Sequence, residues 1–168
     1  MSEFMEINPK EISENAMKLI GTDWMLVAAG NKEKANAMTA SWGGVGIMWG
    51  YDVAYIVIRP QRYTKTFIDN NTTLSLSFFD DSFKEQLKYF GSVSGKDEDK
   101  ITKTVMTLAY DGETPYFNDA KLVLVCEKLF AQDFDKESFI DKSLIEKWYP
   151  KEDYHTMYIA KITKALIK

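Results

Sequence analysis

The residues whose spacing speaks most directly of chemistry are Arg59-Pro60-Gln61-Arg62-Tyr63-Thr64-Lys65-Thr66. They close an apolar run and open a helical pattern. Thr64 is placed as an N-cap, so that backbone N–H groups of the following turn would face the same spot as Arg59, Arg62 and Lys65. Such a loop suits a phosphate, because arginine brings planar, two-pronged donors and Pro60 holds the chain extended. An ordinary capped helix with solvated arginines would carry the same residues. A second stretch, Gly91-Ser92-Val93-Ser94-Gly95-Lys96-Asp97-Glu98-Asp99-Lys100, approaches a phosphate-binding P-loop. It has three residues between its glycines where that motif has four, and Asp97 stands where Ser or Thr would take magnesium, so a nucleoside triphosphatase is rejected. What survives is a small loop with a hydroxyl, a bare backbone and a lysine, fit for one phosphate or a polyol hydroxyl, or else a charged surface loop.

The stretch Asn36-Ala37-Met38-Thr39-Ala40-Ser41-Trp42 sets small residues between hydroxyls and ends on a large aromatic. Small side chains let a flat ligand approach the backbone, whose N–H and C=O groups can pair with a heteroaromatic edge; a strand narrowed at a tight bend reads the same way. The glycines at 44 and 46 do not make a dinucleotide fingerprint, since the third glycine and the following helix are missing. His155 is the one histidine and Cys126 the one cysteine. Together they cannot form an internal disulfide or a usual zinc site, and a nucleophilic triad would have to run through His155 alone. A lone histidine before a strand is more often structural, and Cys126 in an alternating strand reads as a buried, inert thiol.

Several strands must position these residues. Residues 24–29 and 53–58 are continuous apolar runs, the pattern of strands buried on both faces, while 74–78 and 121–129 alternate with period two and 156–166 read as a closing strand. A closed or nearly closed barrel, covered outside by helices or a second subunit, would bury strands in this way. Helices are expected over 9–19, 65–70, 83–89 and 143–148, with turns at Gly43-Gly44, at residues 50–52 and 69–71, and at Gly91, Asp111-Gly112 and Asn118-Asp119. The 168 residues, 45% hydrophobic with net charge −4, describe one domain over 1–168 that needs no disulfide or metal for its core. No apolar run approaches the roughly 20 residues of a bilayer span, and residues 1–10 are polar and mixed in charge, so a cytoplasmic location without membrane contact is expected. The acidic balance gives no general attraction for nucleic acid.

Taken together, residues 36–42, 59–64 and 94–96 resemble the flavin reductase family with an FMN-binding split barrel, from about Trp24 to Ile162. Trp148-Tyr149-Pro150 and Asp153-Tyr154-His155 are similar to the carboxyl-terminal part of its flavoredoxin-like branch. The resemblance implies a mainly β fold with short helices, a split β-barrel, and a homodimer with FMN near the subunit interface. It puts Thr39, Ala40, Ser41 and Trp42 beside the isoalloxazine ring and ribityl chain. Arg59, Arg62, Tyr63 and Thr64 would hold the phosphate region, with Ser94, Gly95 and Lys96 closing over the same ligand and His155 near the flavin face. Three functions fit: an NADH- or NADPH-dependent flavin reductase, a flavoredoxin-like carrier that takes electrons from a redox protein partner, and an FMN-binding module without turnover. In the first two the cofactor carries the redox chemistry.

Overall fold

A computed structural model describes residues 3–168; the first two residues of the polar amino-terminal segment lie outside the described residues. The strands are β1 (Met5–Ile7), β2 (Met25–Gly30), β3 (Ala35–Ala40), β4 (Gly43–Met48), β5 (Tyr51–Ile58), β6 (Thr73–Phe78), β7 (Leu108–Asp111), β8 (Thr114–Phe117), β9 (Leu122–Asp133) and β10 (Thr156–Ile167). The helices are α1 (Thr64–Asn70), α2 (Lys84–Ser92) and α3 (Ser143–Trp148).

One antiparallel sheet runs in the order β3-β2-β6-β9-β10-β5-β4, with β1 added on β10. Laid flat, seven strands would part its two edges by roughly 29 Å, at about 4.8 Å per step. Yet β3 and β4 are joined by Ser41 and Trp42 alone, and three Cα steps reach about 11 Å at most. The sheet must therefore curl until its edges meet. They meet without a ladder between them, which makes the barrel split.

Alternation decides which side chains fill it. Met25, Val27 and Ala29 of β2 join Leu74, Leu76 and Phe78 of β6 in the interior, along with Leu122, Leu124 and Cys126 of β9 and Tyr158 and Ala160 of β10. The opposite faces of β2 and β9, carrying Leu26, Ala28, Val123 and Val125, pack against Leu87 and Phe90 of α2 and Phe117 of the β7–β8 hairpin. This double covering explains why residues 24–29 read as a continuous apolar run. It stops at β4, the start of β5 and the outer half of β9, where Val45, Ile47, Trp49, Tyr51 and Phe130 stay exposed.

Three local expectations are corrected. Residues 9–19 do not form one helix: a 3-10 turn at Pro9–Glu11, closed by the Asn8 and Glu11 capping box, is followed by a π-helical turn at Lys18–Asp23. The Asn15 side chain accepts from Lys18 N, the kind of local bond that competes with regular winding. Gly43-Gly44 is not a joint but the start of β4, where Tyr55 O would lie 2.5 Å from any Cβ on Gly43. The hairpin after β4 turns at Trp49 and Gly50, both at positive φ (51° and 75°), and Tyr51 already belongs to β5.

Candidate functional site

The split in the barrel and the loop before α1 frame two adjoining cavities. The first, about 190 Å³, is lined by Thr39, Ala40, Ser41 and Trp42 from the β3–β4 link, with Arg59, Arg62 and His155 facing them. The second, about 100 Å³, lies between Arg62, Tyr63 and Thr64 on one side and Ser94, Gly95 and Lys100 on the other. Arg62 lines both, so eleven of the twelve site residues expected from sequence come together on one groove, the exception being Lys96. The Lys96 ammonium stands 5.7 Å from the Tyr63 ring centroid and does not line either cavity.

The first cavity is aromatic and electrostatically settled. Trp42 packs edge-on against Trp148 with centroids 4.9 Å apart and lies 5.2 Å from the His155 ring. Arg59 is fully engaged: its guanidinium pairs with Asp153 at 2.9 Å, donates to Trp148 O at 2.9 Å and lies 5.0 Å from the Tyr149 ring centroid. The His155 Nδ1 is 2.7 Å from the Tyr149 hydroxyl. Burial, aided by the positive charge of Arg59, pushes His155 down to about 4, so the imidazole is neutral near pH 7. The neutral ring carries one proton, which sits on Nε2 in the tautomer whose Nδ1 accepts from the Tyr149 hydroxyl.

The second cavity is different in kind. Arg62 donates to Gly91 O at 2.9 Å, and burial lowers its pKa. Thr64 is not an N-cap: the chain already winds at Arg62, whose carbonyl accepts from Lys65 N, while Tyr63 O accepts from Thr66 N. Those N–H groups are therefore spent within the turn, and Lys65 turns away to pair with Asp69 at 2.8 Å. The buried Thr64 hydroxyl instead accepts from Asn36 Nδ2 at 2.8 Å. Gly95 backs onto the same asparagine, and a Cβ there would come within 2.3 Å of Asn36 Oδ1, so only a bare backbone fits. Thr39 is fixed from α2, its hydroxyl donating to Leu87 O.

Lys100 is the lining residue that sequence reasoning passed over. It is 2% exposed, although it ends a run of five charged residues that looks solvated. Cys126, in contrast, is as inert as its strand pattern implies: burial pushes its thiol up to about 12. Among the described residues there is no cluster of metal-ligating side chains, and no helix is long and apolar enough to cross a membrane.

Comparison with known proteins agrees with this geometry. The flavin reductase like domain model matches residues 17–168. No curated protein matches the chain in sequence. Among solved structures, flavoredoxin from Methanosarcina acetivorans is 19% identical with a TM-score of 0.69, over 99% of this chain and 76% of its own. An FMN-binding domain of a flavin reductases-like enzyme from Shewanella baltica is 15% identical with a TM-score of 0.70, over 99% and 79%. The NADH:FAD oxidoreductase of Streptomyces globisporus is 14% identical with a TM-score of 0.63, over 88% and 75%. At these identities the structures establish the shared split-barrel fold, and it is the domain match over nearly the whole chain that shows the chain to belong to the flavin reductase like domain family.

Proposed function

We propose that the protein binds FMN and transfers electrons through it as a flavin reductase, with NADH or NADPH as the donor. The observation that carries this reading is the junction of the two cavities at Arg62, one flat and aromatic, the other small and cationic. The fit follows from the side chains. Ala40 and Ser41 leave room for a planar ring at the split, where the edges of β3 and β4 are not joined by a ladder. Arg62, Thr64 and the backbone at Ser94 and Gly95 would hold a phosphate, with no Cβ to crowd it.

The residues of the two cavities would hold the flavin, which when bound would supply hydride-accepting redox chemistry. The chain's own contribution is placement. Trp42, with Trp148 packed edge-on against it, walls the ring cavity, and Arg59 holds the segment that carries His155 by gripping Asp153 and Trp148 O. A neutral His155 serves as a hydrogen-bond donor that orients a substrate, not as an imidazolium acid.

Anaerobic mixing of the FMN-loaded protein with NADH or NADPH tests the proposal. Bleaching within seconds supports the reductase. A second reading, an electron carrier, is favoured by the half-exposed Trp42 in the cavity wall and the half-exposed Trp148 packed on it, an aromatic surface open to a redox protein partner. Slow bleaching by both nucleotides, with rapid reduction by a protein donor, would replace the first reading with this one.

The exposed β4–β5 hairpin supports a homodimer. Val45 and Ile47 stand exposed on one of its faces and Met48, Tyr51 and Tyr55 on the other, with Trp49 at its tip 6.1 Å from the Phe130 ring. A tryptophan at φ 51° is strained where Asn or Gly would be relaxed, and that strain is retained at an exposed tip. Light scattering should therefore give twice the monomer mass, and Trp49→Asn should shift the protein toward monomer while stabilising the hairpin. A monomer at micromolar concentration with flavin bound would overturn the dimer.

A further inference from the structure

Tyr149 lines neither cavity, yet its hydroxyl is the hydrogen-bond partner of His155, 2.7 Å from Nδ1. Both side chains are buried, at 4% and 7% exposure, and both are held in place. Tyr149 follows α3, and its N–H donates to Ile145 O at 2.8 Å. Its ring packs against Tyr154 with centroids 4.9 Å apart, against Phe139 at 5.7 Å and against the Arg59 guanidinium at 5.0 Å. On the other side His155 O accepts from Phe134 N at 2.9 Å, and the next residue, Thr156, is paired with both β9 and β5. The Tyr149–His155 bond is therefore fixed from both ends.

Its direction follows from counting donors and acceptors. If the hydroxyl donates, Nδ1 is filled, the tyrosine proton is placed, and the imidazole proton sits on Nε2. If Nδ1–H donates instead, the hydroxyl proton is left without an acceptor among the described residues, at a buried position. Buried polar groups are seldom left so. Arg59 favours the first arrangement. Burial raises the Tyr149 pKa, so the hydroxyl keeps its proton, and the positive charge beside the ring makes that proton the more readily shared.

The consequence falls on the first cavity, which the imidazole lines beside Trp42. Other donors there are already spent, Thr39 on Leu87 O and Arg59 on Asp153 and Trp148 O. Resting on the flavin reading above, we infer that Tyr149 is a positioning residue that fixes His155 in its Nε2–H form, so that the ring cavity meets its ligand with a donor. The ligand edge it serves is then an acceptor, a carbonyl oxygen or an unprotonated ring nitrogen, because an N–H or O–H there would set two donors face to face. The carbonyl edge of an isoalloxazine and the carboxamide oxygen of a nicotinamide both have this chemistry.

The chain holds one histidine, so isotopic labelling of histidine nitrogen reports this imidazole alone. In the flavin-free wild type near pH 7, NMR should show a single tautomer, with the proton on Nε2 and Nδ1 shifted by an accepted hydrogen bond. Tyr149→Phe keeps the packed ring and removes only the hydroxyl, so the variant should fold. Its Nδ1 should return to the shift of an unbonded nitrogen, and the Nδ1–H form should become detectable. Bleaching of the FMN-loaded variant by NADH or NADPH should slow roughly tenfold, with FMN affinity changed by less than about threefold. In a His155→Gln background the same Tyr149→Phe change should slow bleaching no further, since Tyr149 acts through the imidazole. A wild-type proton on Nδ1, or an imidazole spectrum unaltered by Tyr149→Phe, would overturn the inference. So would equal slowing by Tyr149→Phe with and without His155, which marks a packing role alone. Should no flavin bind to wild type, the proposed function falls, and the spectra of the flavin-free protein still decide whether Tyr149 sets the tautomer.

Discussion

Arg59 and Arg62 stand three residues apart on the same loop, and the structure treats them in opposite ways. Arg59 has a carboxylate, a backbone carbonyl and an aromatic face, so its charge is finished inside the protein. Arg62 has one carbonyl and a second cation, Lys100, as its charged neighbour. The difference teaches that a run of cations in sequence is not itself a binding site. What matters is which of them the fold leaves without a partner, because only that charge remains for a ligand.

Breaking the uncompensated end should have the largest effect. Arg62→Ala removes a charge-assisted donor worth about 1.5 to 3 kcal/mol, so FMN should weaken by roughly tenfold to a hundredfold in a fluorescence titration. Stability without ligand should not fall, since the like charge that half-buried Arg62 sets against Lys100 goes with it. Equal affinity of wild type for riboflavin and FMN would deny the phosphate assignment altogether.

The compensated end should reveal itself in acid. His155 is lowered to about 4 from an ordinary 6.5, so the unfolded chain takes up the proton first as pH falls. Stability present above pH 6.5 is lost progressively toward pH 4, by about 3 kcal/mol. His155→Gln should flatten that part of the Tm profile, with FMN affinity at pH 7 nearly unchanged. A slowed reductive step at pH 7 in the same variant would mark the imidazole as a positioning group, and an unaltered step would leave it purely structural.

The smallest effect sharpens the contrast between the arginines. Asp153→Asn removes the partner of Arg59 at a half-exposed site, which should cost about 1 kcal/mol by urea unfolding. FMN affinity should change by less than threefold, in contrast to Arg62→Ala. A large gain in FMN affinity would mean that Arg59, once released, reaches the phosphate.

How much of this was readable in advance depends on how local the cause is. Strands β2, β5, β6, β9 and β10 announced themselves because alternation and continuous apolar runs are properties of neighbouring residues, and α3 falls where expected. The loops around Thr39 to Trp42 and Arg59 to Thr64 were legible as chemistry, though not their internal hydrogen bonds: Thr64 looked like a cap because the preceding turn was invisible. Lys100 was hidden for a different reason. Its burial arises from Phe90 at the end of α2 and from Arg62, neither adjacent in sequence, while its own neighbours are the charged residues of a solvated loop. The Arg59–Asp153 pair, likewise, joins residues that only the barrel brings together.

Strand β10 lies between β9 and β5 and also pairs with β1, where Met5 meets Ile167. In terms of time rather than place, this makes the barrel a late event. Its central ladders close over long separations, so folding belongs to the milliseconds-to-seconds regime of β-rich topologies. Until β10 docks, β9 and β5 each offer an open edge, and the partly assembled chain is the species most exposed to edge-to-edge aggregation.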